Sequence, residues 1–378
     1  MARPQVAEPG IAPASSPAAR RPPPAPTESS RPTRGRGYFA ELEAAFLDAA
    51  RGAGGSFVRD LSIGPCRVRL HFAGPALVDP LFRAVAHLGA AGDGPPSASV
   101  CLWDSASTGV RVPPFPWAGE DIVARGEVRG YGDDVRVVYE PGFGGVTMFD
   151  PVSRRGVFWV PGPERVPWYE RAAPLRPLLS WALAAPGRHL VHAGAVARDG
   201  AGVLLAGKGG SGKSTVALLC AGAGLDYLGD DYVLLSTEQT PTAFSLYGTA
   251  KLAPGGLTRV PAVAGATGED RGSEEEKLVL DVGRRFPDRV KGAAAVKAVV
   301  LPRVATEGRT RASRVSAAEA LRTLAPSSML QLPYAQRDSL ASMAALVAGR
   351  PAYALELGPD VSNVPGLIAD LIEAGVRA

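Results

Sequence analysis

The sequence predicts two folded units behind a disordered N-terminal tail: an α+β unit, then an α/β unit built around a glycine-rich loop. Three observations carry this. The first 37 residues hold nine prolines among Ala, Ser and Arg. Residues 57–160 alternate short β-rich runs with turns. At 202–223 an apolar strand pattern, a run of glycines and an apolar helix pattern follow one another. A chain of 378 residues with 46% hydrophobic content is long enough to bury two cores.

Taken in order, the tail (1–37) has too little apolar surface to offset the entropy of ordering it. It also carries six arginines against two glutamates, which accounts for the whole formal charge of +4. The rest of the chain is neutral, so the basic balance does not point to a nucleic-acid partner. From Tyr38 the run Phe-Ala-Glu-Leu-Glu-Ala-Ala-Phe-Leu has helical spacing and predicts a helix to Arg51, ended by the glycines at 52–55. Strands are predicted at 57–63, 66–72, 97–103, 135–139, 146–149 and 157–160, with one helix at 75–88. Together they predict an α+β unit over 38–170 on an antiparallel sheet. Trp103 with Asp104, and Trp117 among Pro113, Pro114 and Pro116, suit either a recognition surface or buried packing, and packing is the simpler expectation. A helix at 167–185 leads into the second unit, 171–378. Its strands are expected at 189–196, 202–206, 227–235, 243–247, 278–282, 296–301 and 352–357. Its helices are expected after the glycine loop to Ala223 and at 316–325, 337–348 and 362–376.

Composition narrows the function. Cys66, Cys101 and Cys220 lie far apart and His71, His87, His189 and His192 lack H-x-x-x-H spacing, so neither a disulfide framework nor a zinc site is expected. The longer apolar runs, such as 216–223, fall short of the ~20 residues that span a bilayer. The N-terminus lacks the uninterrupted apolar stretch of a signal peptide, so a cytoplasmic protein with no membrane partner is expected. Only six of 41 basic residues are Lys. A GC-rich genome explains that bias. Against such a background a retained Lys is a better candidate for a site that needs a compact ammonium, which favours Lys213, Lys251 and Lys277.

Gly207-Lys208-Gly209-Gly210-Ser211-Gly212-Lys213-Ser214 fits G-x-x-x-x-G-K-[ST], with Thr215 next in the helix pattern. Gly202 to Ala206 reads as the strand entering the loop, and the run from Ser214 to Cys220 as the helix leaving it. That context makes the motif a nucleoside-triphosphate loop. Its glycines let backbone N–H groups wrap phosphate at a helix N-terminus. Lys213 would neutralise the β- and γ-phosphates, and the Ser214 hydroxyl would help hold Mg²⁺. Asp230 and Asp231 interrupt an apolar run soon after this helix. Two adjacent carboxylates repel unless a cation or proton separates them, so one is expected to face Mg²⁺ and the other a substrate proton. A solvated turn is the plainer alternative. His192, within Leu190-Val-His-Ala-Gly-Ala-Val196, is by itself more often a satisfied core histidine than a catalytic one.

In order and spacing, the His192-Ala-Gly-Ala-Val segment, the glycine loop and Gly229-Asp230-Asp231 resemble the catalytic half of HPr kinase/phosphorylase and the HPr-kinase-like serine kinases. Phosphoenolpyruvate carboxykinase shares that nucleotide-binding fold. The resemblance is firm over 187–235 and looser through 245–252 and 276–280. It implies an α/β P-loop fold of this type, ATP and Mg²⁺ as cofactors, and transfer of the γ-phosphoryl group to a hydroxyl. It makes Asp230 the candidate base, Asp231 the candidate Mg²⁺ ligand and His192 an orienting group, with the order within the pair reversible. Lys251 and Lys277 become candidates for stabilising the transferred group. The basic, proline-containing C-terminal signature of true HPr kinases is missing. The acceptor implied is therefore a serine of another peptide or protein, as in relatives that modify ribosomally made peptides. A nucleotide-dependent binding module and a small-molecule kinase are the alternatives.

Overall fold

The computed structural model describes residues 31–89, 94–132, 134–264, 277–334 and 337–377. Most of the expected tail and Glu276 lie outside them. Helix α1 (Arg31–Gly52) begins inside the segment predicted to be disordered, so that expectation is corrected over 31–37. Tyr38, Phe39, Leu42, Phe46 and Ala49 explain why the helix is held: they form one buried stripe that caps a core of its own.

A mixed α/β architecture follows. The front sheet comprises β1 (Ser56–Ile63), β2 (Cys66–Ala73), β3 (Ala98–Asp104), β4 (Arg136–Glu140), β5 (Gly145–Asp150) and β6 (Arg155–Val160), in the order β1-β2-β3-β6-β5-β4. It is not purely antiparallel as expected, because β3 runs parallel to both β2 and β6. The β2–β3 crossover is made by α2 (Val78–Phe82) and a 3₁₀ turn (Arg83–Leu88) where one helix was predicted. A short helix α3 (Ser105–Thr108) follows β3, capped by the Asp104 side chain. Trp103 is fully buried against Phe46 beneath α1, and Trp117 stacks on Phe115, so both tryptophans pack.

The predicted helix at 167–185 is two, α4 (Trp168–Ala172) and α5 (Arg176–Leu183), divided at Pro174 and a left-handed Leu175. Proline lacks the amide that would continue the helix. One hydrophobic cluster runs from the front sheet through α5 to Leu190 and Leu234 of the second sheet.

The second sheet holds β7 (Arg188–Val191), β8 (Ala193–Arg198), β9 (Ala201–Ala206), β10 (Asp226–Gly229), β11 (Val233–Ser236) and β12 (Thr242–Phe244). After β13 (Thr249–Leu252) and β14 (Leu278–Asp281), which pair separately, it continues with β15 (Ala293–Val304), β16 (Arg311–Val315) and β17 (Ala352–Leu357). The order is β10-β8-β9-β15-β12-β11-β7, with β17 beside the far half of β15 and β16 beyond it. Two strands predicted as single are therefore each split. The first, 189–196, breaks at His192 and the second, 227–235, at Asp230 to Tyr232. Their first and second halves go to opposite ends of the strand order, so the sheet curls until its ends share a chain.

Helix α6 (Lys213–Gly222) and α11 (Val364–Arg377) cover one face of this sheet. Helices α9 (Ala317–Gln331) and α10 (Arg337–Gly349) cover the other, and the short α7 (Pro254–Leu257) and α8 (Val282–Arg285) flank β13 and β14. Alternation along β9 fits burial on both faces: Val203 and Leu205 join the α6 side, Leu204 and Ala206 the α9 side. No helix among the described residues is long and apolar enough to cross a membrane.

Candidate active site

The glycine loop joins the end of β9 to the start of α6, as the motif requires. Gly212 has φ +105°, and a Cβ there would lie 2.5 Å from the Leu357 side chain, so only glycine fits this turn. Lys213, the first residue of α6, is buried. Its ammonium donates to the Gly207 carbonyl at 2.7 Å and the Lys208 carbonyl at 3.3 Å, which folds it back along the loop. Burial pushes its pKa down, while Asp231 and Asp230 pull it up.

The two strand breaks supply the other groups. At Gly194 a Cβ would stand 2.9 Å from the Gly229 carbonyl and 3.1 Å from the Asp230 Cα. The bare backbone there lets the acidic pair lie directly against β8, beside His192. Asp230 turns inward: it accepts from the Lys251 amide at 2.9 Å and the Tyr227 hydroxyl at 3.3 Å, and bonds the Ser214 hydroxyl. Burial first, then the neighbouring Asp231 charge, raise its pKa. Asp231 turns outward, its side chain 22% exposed, whereas Asp230 is buried. One oxygen meets His192 Nε2 at 2.9 Å and the other the Lys251 ammonium at 2.5 Å. Burial acts to raise its pKa, but Lys251 and His192 hold it well below the usual carboxylate range. The pair is therefore divided in environment, and it is not a solvated turn.

His192 is 4% exposed, and burial lowers its pKa against the opposing pull of Asp231. Its amide donates to Ser328 Oγ at 3.0 Å and its ring packs on Tyr232, whose hydroxyl donates to Gln331 at 2.7 Å. The Arg176 guanidinium also lies over the Tyr232 ring, 5.5 Å from its centroid.

These groups face a cavity of about 250 Å³. It is lined by His192, Gly209, Gly210, Ser211, Gly212, Lys213, Ser214, Thr215, Asp230, Asp231 and Lys251, with exposed Lys277 at its mouth. The fold thus gathers nearly every residue singled out in the sequence; Gly207 and Lys208 line a neighbouring groove instead. Sequence reasoning missed Arg259, which follows α7 and contributes a guanidinium beside the lysines. No periodicity or motif marks it. Three buried polar atoms around this cavity have no hydrogen-bond partner: Ser211 Oγ, His192 Nδ1 and Arg259 Nη1. Buried polar atoms left unpaired are costly, so three of them on residues lining one cavity make it a candidate site for a polar ligand. Lys213, Lys251, Lys277 and Arg259 outnumber the two carboxylates among the lining residues, a balance that favours an anion there.

Mg²⁺ fits the donor set. The described residues contain no cluster of three or more His, Cys, Asp or Glu able to hold a metal alone. Mg²⁺ asks instead for one or two protein oxygens plus phosphate and water, and Ser214 with Asp230 offers that pair.

No protein-family profile and no curated protein matches the chain. Among solved structures, the HPr(Ser) kinase/phosphatase from Coxiella burnetii is matched at 15% identity over 50% of this chain and 97% of that one. The TM-score of that match is 0.27, so the case for function rests on the geometry of the site itself.

Proposed function

We propose that the protein is an ATP-dependent kinase of the HPr-kinase-like type, transferring the γ-phosphoryl group to a hydroxyl, with a serine of a peptide or protein as acceptor. Residues 171–378 would form the P-loop transfer unit and 38–170 a unit packed against it, working in the cytoplasm. The observation that carries the reading is the division of the acidic pair around one cavity: Asp230 on Ser214, and Asp231 on His192 and Lys251.

The neighbours favour exchanging the roles first given to the two carboxylates. Asp230 would hold Mg²⁺ with Ser214, and the metal would neutralise charge on the β- and γ-phosphates. Asp231, the more accessible of the two, would accept the hydrogen bond of the incoming hydroxyl, oriented by His192. Its low proton affinity is no obstacle. In a loose phosphoryl-transfer transition state the enzyme mainly positions groups and stabilises charge. Lys213 would bind the β- and γ-phosphates, while Lys251, Lys277 and Arg259 would stabilise charge on the moving group.

The test is incubation with γ-labelled ATP, Mg²⁺ and a lysate of the source organism. Label is expected on a polypeptide, and Lys213→Ala, folded by circular dichroism, is expected to lose both label and ATP binding. Equal labelling and affinity in that variant would sink the reading. ATP bound but never transferred would favour a nucleotide-dependent module, and a small labelled product a metabolite kinase.

A further inference from the structure

Helix α9 belongs to the second sheet, but its end is held by the front unit. Pro326 lacks the amide that would bond the Arg322 carbonyl, so the last turn is tied less firmly to the turns before it, and that turn has no basic residue of its own. The final carbonyls of a helix have no partner within it and carry partial negative charge. Here Arg125 of the front unit supplies the partner, its Nη1 donating to the Met329 carbonyl at 2.9 Å and the Leu332 carbonyl at 3.3 Å. Glu127 meets the same guanidinium at 2.9 Å and accepts the Tyr334 amide at 3.1 Å. Tyr334 anchors the chain just past the helix. Its hydroxyl donates to the Val137 carbonyl at 3.0 Å, and its ring packs on Trp181 with centroids 5.7 Å apart. The ring also lies so close to Gly132 that a Cβ there would stand 2.9 Å from it.

The backbone shows how firmly this junction is specified. Arg125 and Tyr334 are both left-handed, with φ +67° and +53°. Residues with side chains keep that conformation at a cost, and only where their surroundings over-determine it. Packing between two units would also be served by contacts anywhere along α9. The hydrogen bonds from Arg125, and those made by Tyr334, fall instead on its last turn and the residues directly after it.

That turn is also the one that faces the candidate active site. Ser328 Oγ accepts the His192 amide at 3.0 Å, and Gln331 accepts the Tyr232 hydroxyl at 2.7 Å. Three residues apart, Ser328 and Gln331 are neighbours on one helical face. His192 is bonded to Asp231, and Tyr232 follows Asp231 in the chain, so both holds bear on the same carboxylate. We propose that the front unit sets the geometry of His192 and Asp231 through the end of α9, with Arg125 and Tyr334 as positioning residues. Among the described residues none from that unit lines the cavity, so its influence is exerted wholly through this turn. The consequence for phosphoryl transfer rests on the kinase reading; the placement of His192 does not.

The full chain tests this with Mg·ATP and a lysate of the source organism. Arg125→Ala, folded by circular dichroism, should bind Mg·ATP as the parent does. Its initial labelling rate at saturating Mg·ATP should fall by about 10–10²-fold, because misplacing reacting groups by roughly 1 Å from a distance can cost that much. Arg125→Lys keeps a cation at the helix end and should recover part of the rate. The His192 ring nitrogen resonances, followed by NMR, should move in Arg125→Ala and return toward the parental positions in Arg125→Lys. Gln331→Ala should also slow labelling, and the double variant should be no slower than the slower single one, since both act through one turn. Parental rate and parental His192 resonances in Arg125→Ala overturn the proposal. So do a loss of Mg·ATP affinity equal to the loss of rate, and losses that multiply in the double variant. A parent that labels nothing overturns the kinase reading, and the His192 resonances then decide this proposal by themselves.

Discussion

The two sheets use their carboxylates differently. In the front sheet Asp60 holds Arg69 across β1 and β2 with a pair of bonds at 2.8 and 2.9 Å, and Asp104 caps a turn at Ser107. The register between β1 and β2 runs unbroken from Ser56 opposite Ala73 to Ile63 opposite Cys66. In the second sheet, strands stop at His192 and at Asp230, and the β10–β8 register shifts between Tyr227 and Gly229. The acids there face a cavity beside lysines and unpaired polar atoms. Where every local rule agrees, side chains serve the fold; where the ladder is cut, they line a cavity.

The sharpest way to break this comparison is Asp231→Asn. It keeps the size of the side chain but removes the carboxylate that meets the acceptor, so transfer should fall by about 10²–10⁴ while Mg·ATP still binds. Full activity would return the pair to a structural role. The front sheet should answer oppositely. Trp103→Ala, beneath α1, should cost about 3–5 kcal/mol of stability, read by denaturant titration. Its Mg·ATP affinity below the melting point should stay at the parental value, and a parallel loss of affinity would join the two regions functionally.

Asp230→Asn sharpens the division within the pair. Losing the carboxylate beside Ser214 should weaken the Mg²⁺-dependent part of ATP binding roughly 10–100-fold, measured by calorimetry with and without the metal. If Asp230→Asn loses transfer and Asp231→Asn loses the metal dependence, the order reverts to the one first read from the sequence.

The smallest effect lies where the regions meet. Burial pushes the Glu170 carboxyl from its ordinary 4.5 up to about 7, although Arg176 and the Leu175 amide pull it down. A raised native pKa means that the native state prefers the protonated form. Its stabilisation is complete below about pH 4.5 and is lost as pH rises through 7. Glu170→Gln keeps an oxygen for the Leu175 amide, which Glu170 binds at 2.7 Å, and stays neutral. Melting temperature should therefore fall less steeply from pH 4.5 to 8 in this variant, and an unchanged slope would show that Glu170 ionises freely.

Much of the fold was legible because burial writes a period into the sequence. The strand at 352–357 coincides with β17, and the one at 202–206 differs from β9 by a single residue. The missed strands are those without such a period. β16 is mostly exposed Arg and Ser, and β13 is a short segment ordered by its pairing with β14. The split strands were missed because His192 and Asp230 to Tyr232 sit inside runs that look continuous; only the curl of the sheet separates their halves.

The sequence by itself determined the glycine loop, with Lys213 and Ser214 at the head of a helix, because strand, loop and helix are contiguous and their constraints are local. It also named His192, Asp230, Asp231 and Lys251 by residue type. Tertiary structure alone decided that Asp230 turns to Ser214 and Asp231 to His192 and Lys251, and that Arg259 joins them. The carboxylates and their partners are separated by 16 to 39 residues along the chain, and their charges interact through space, where distance and burial rather than sequence order fix which groups meet.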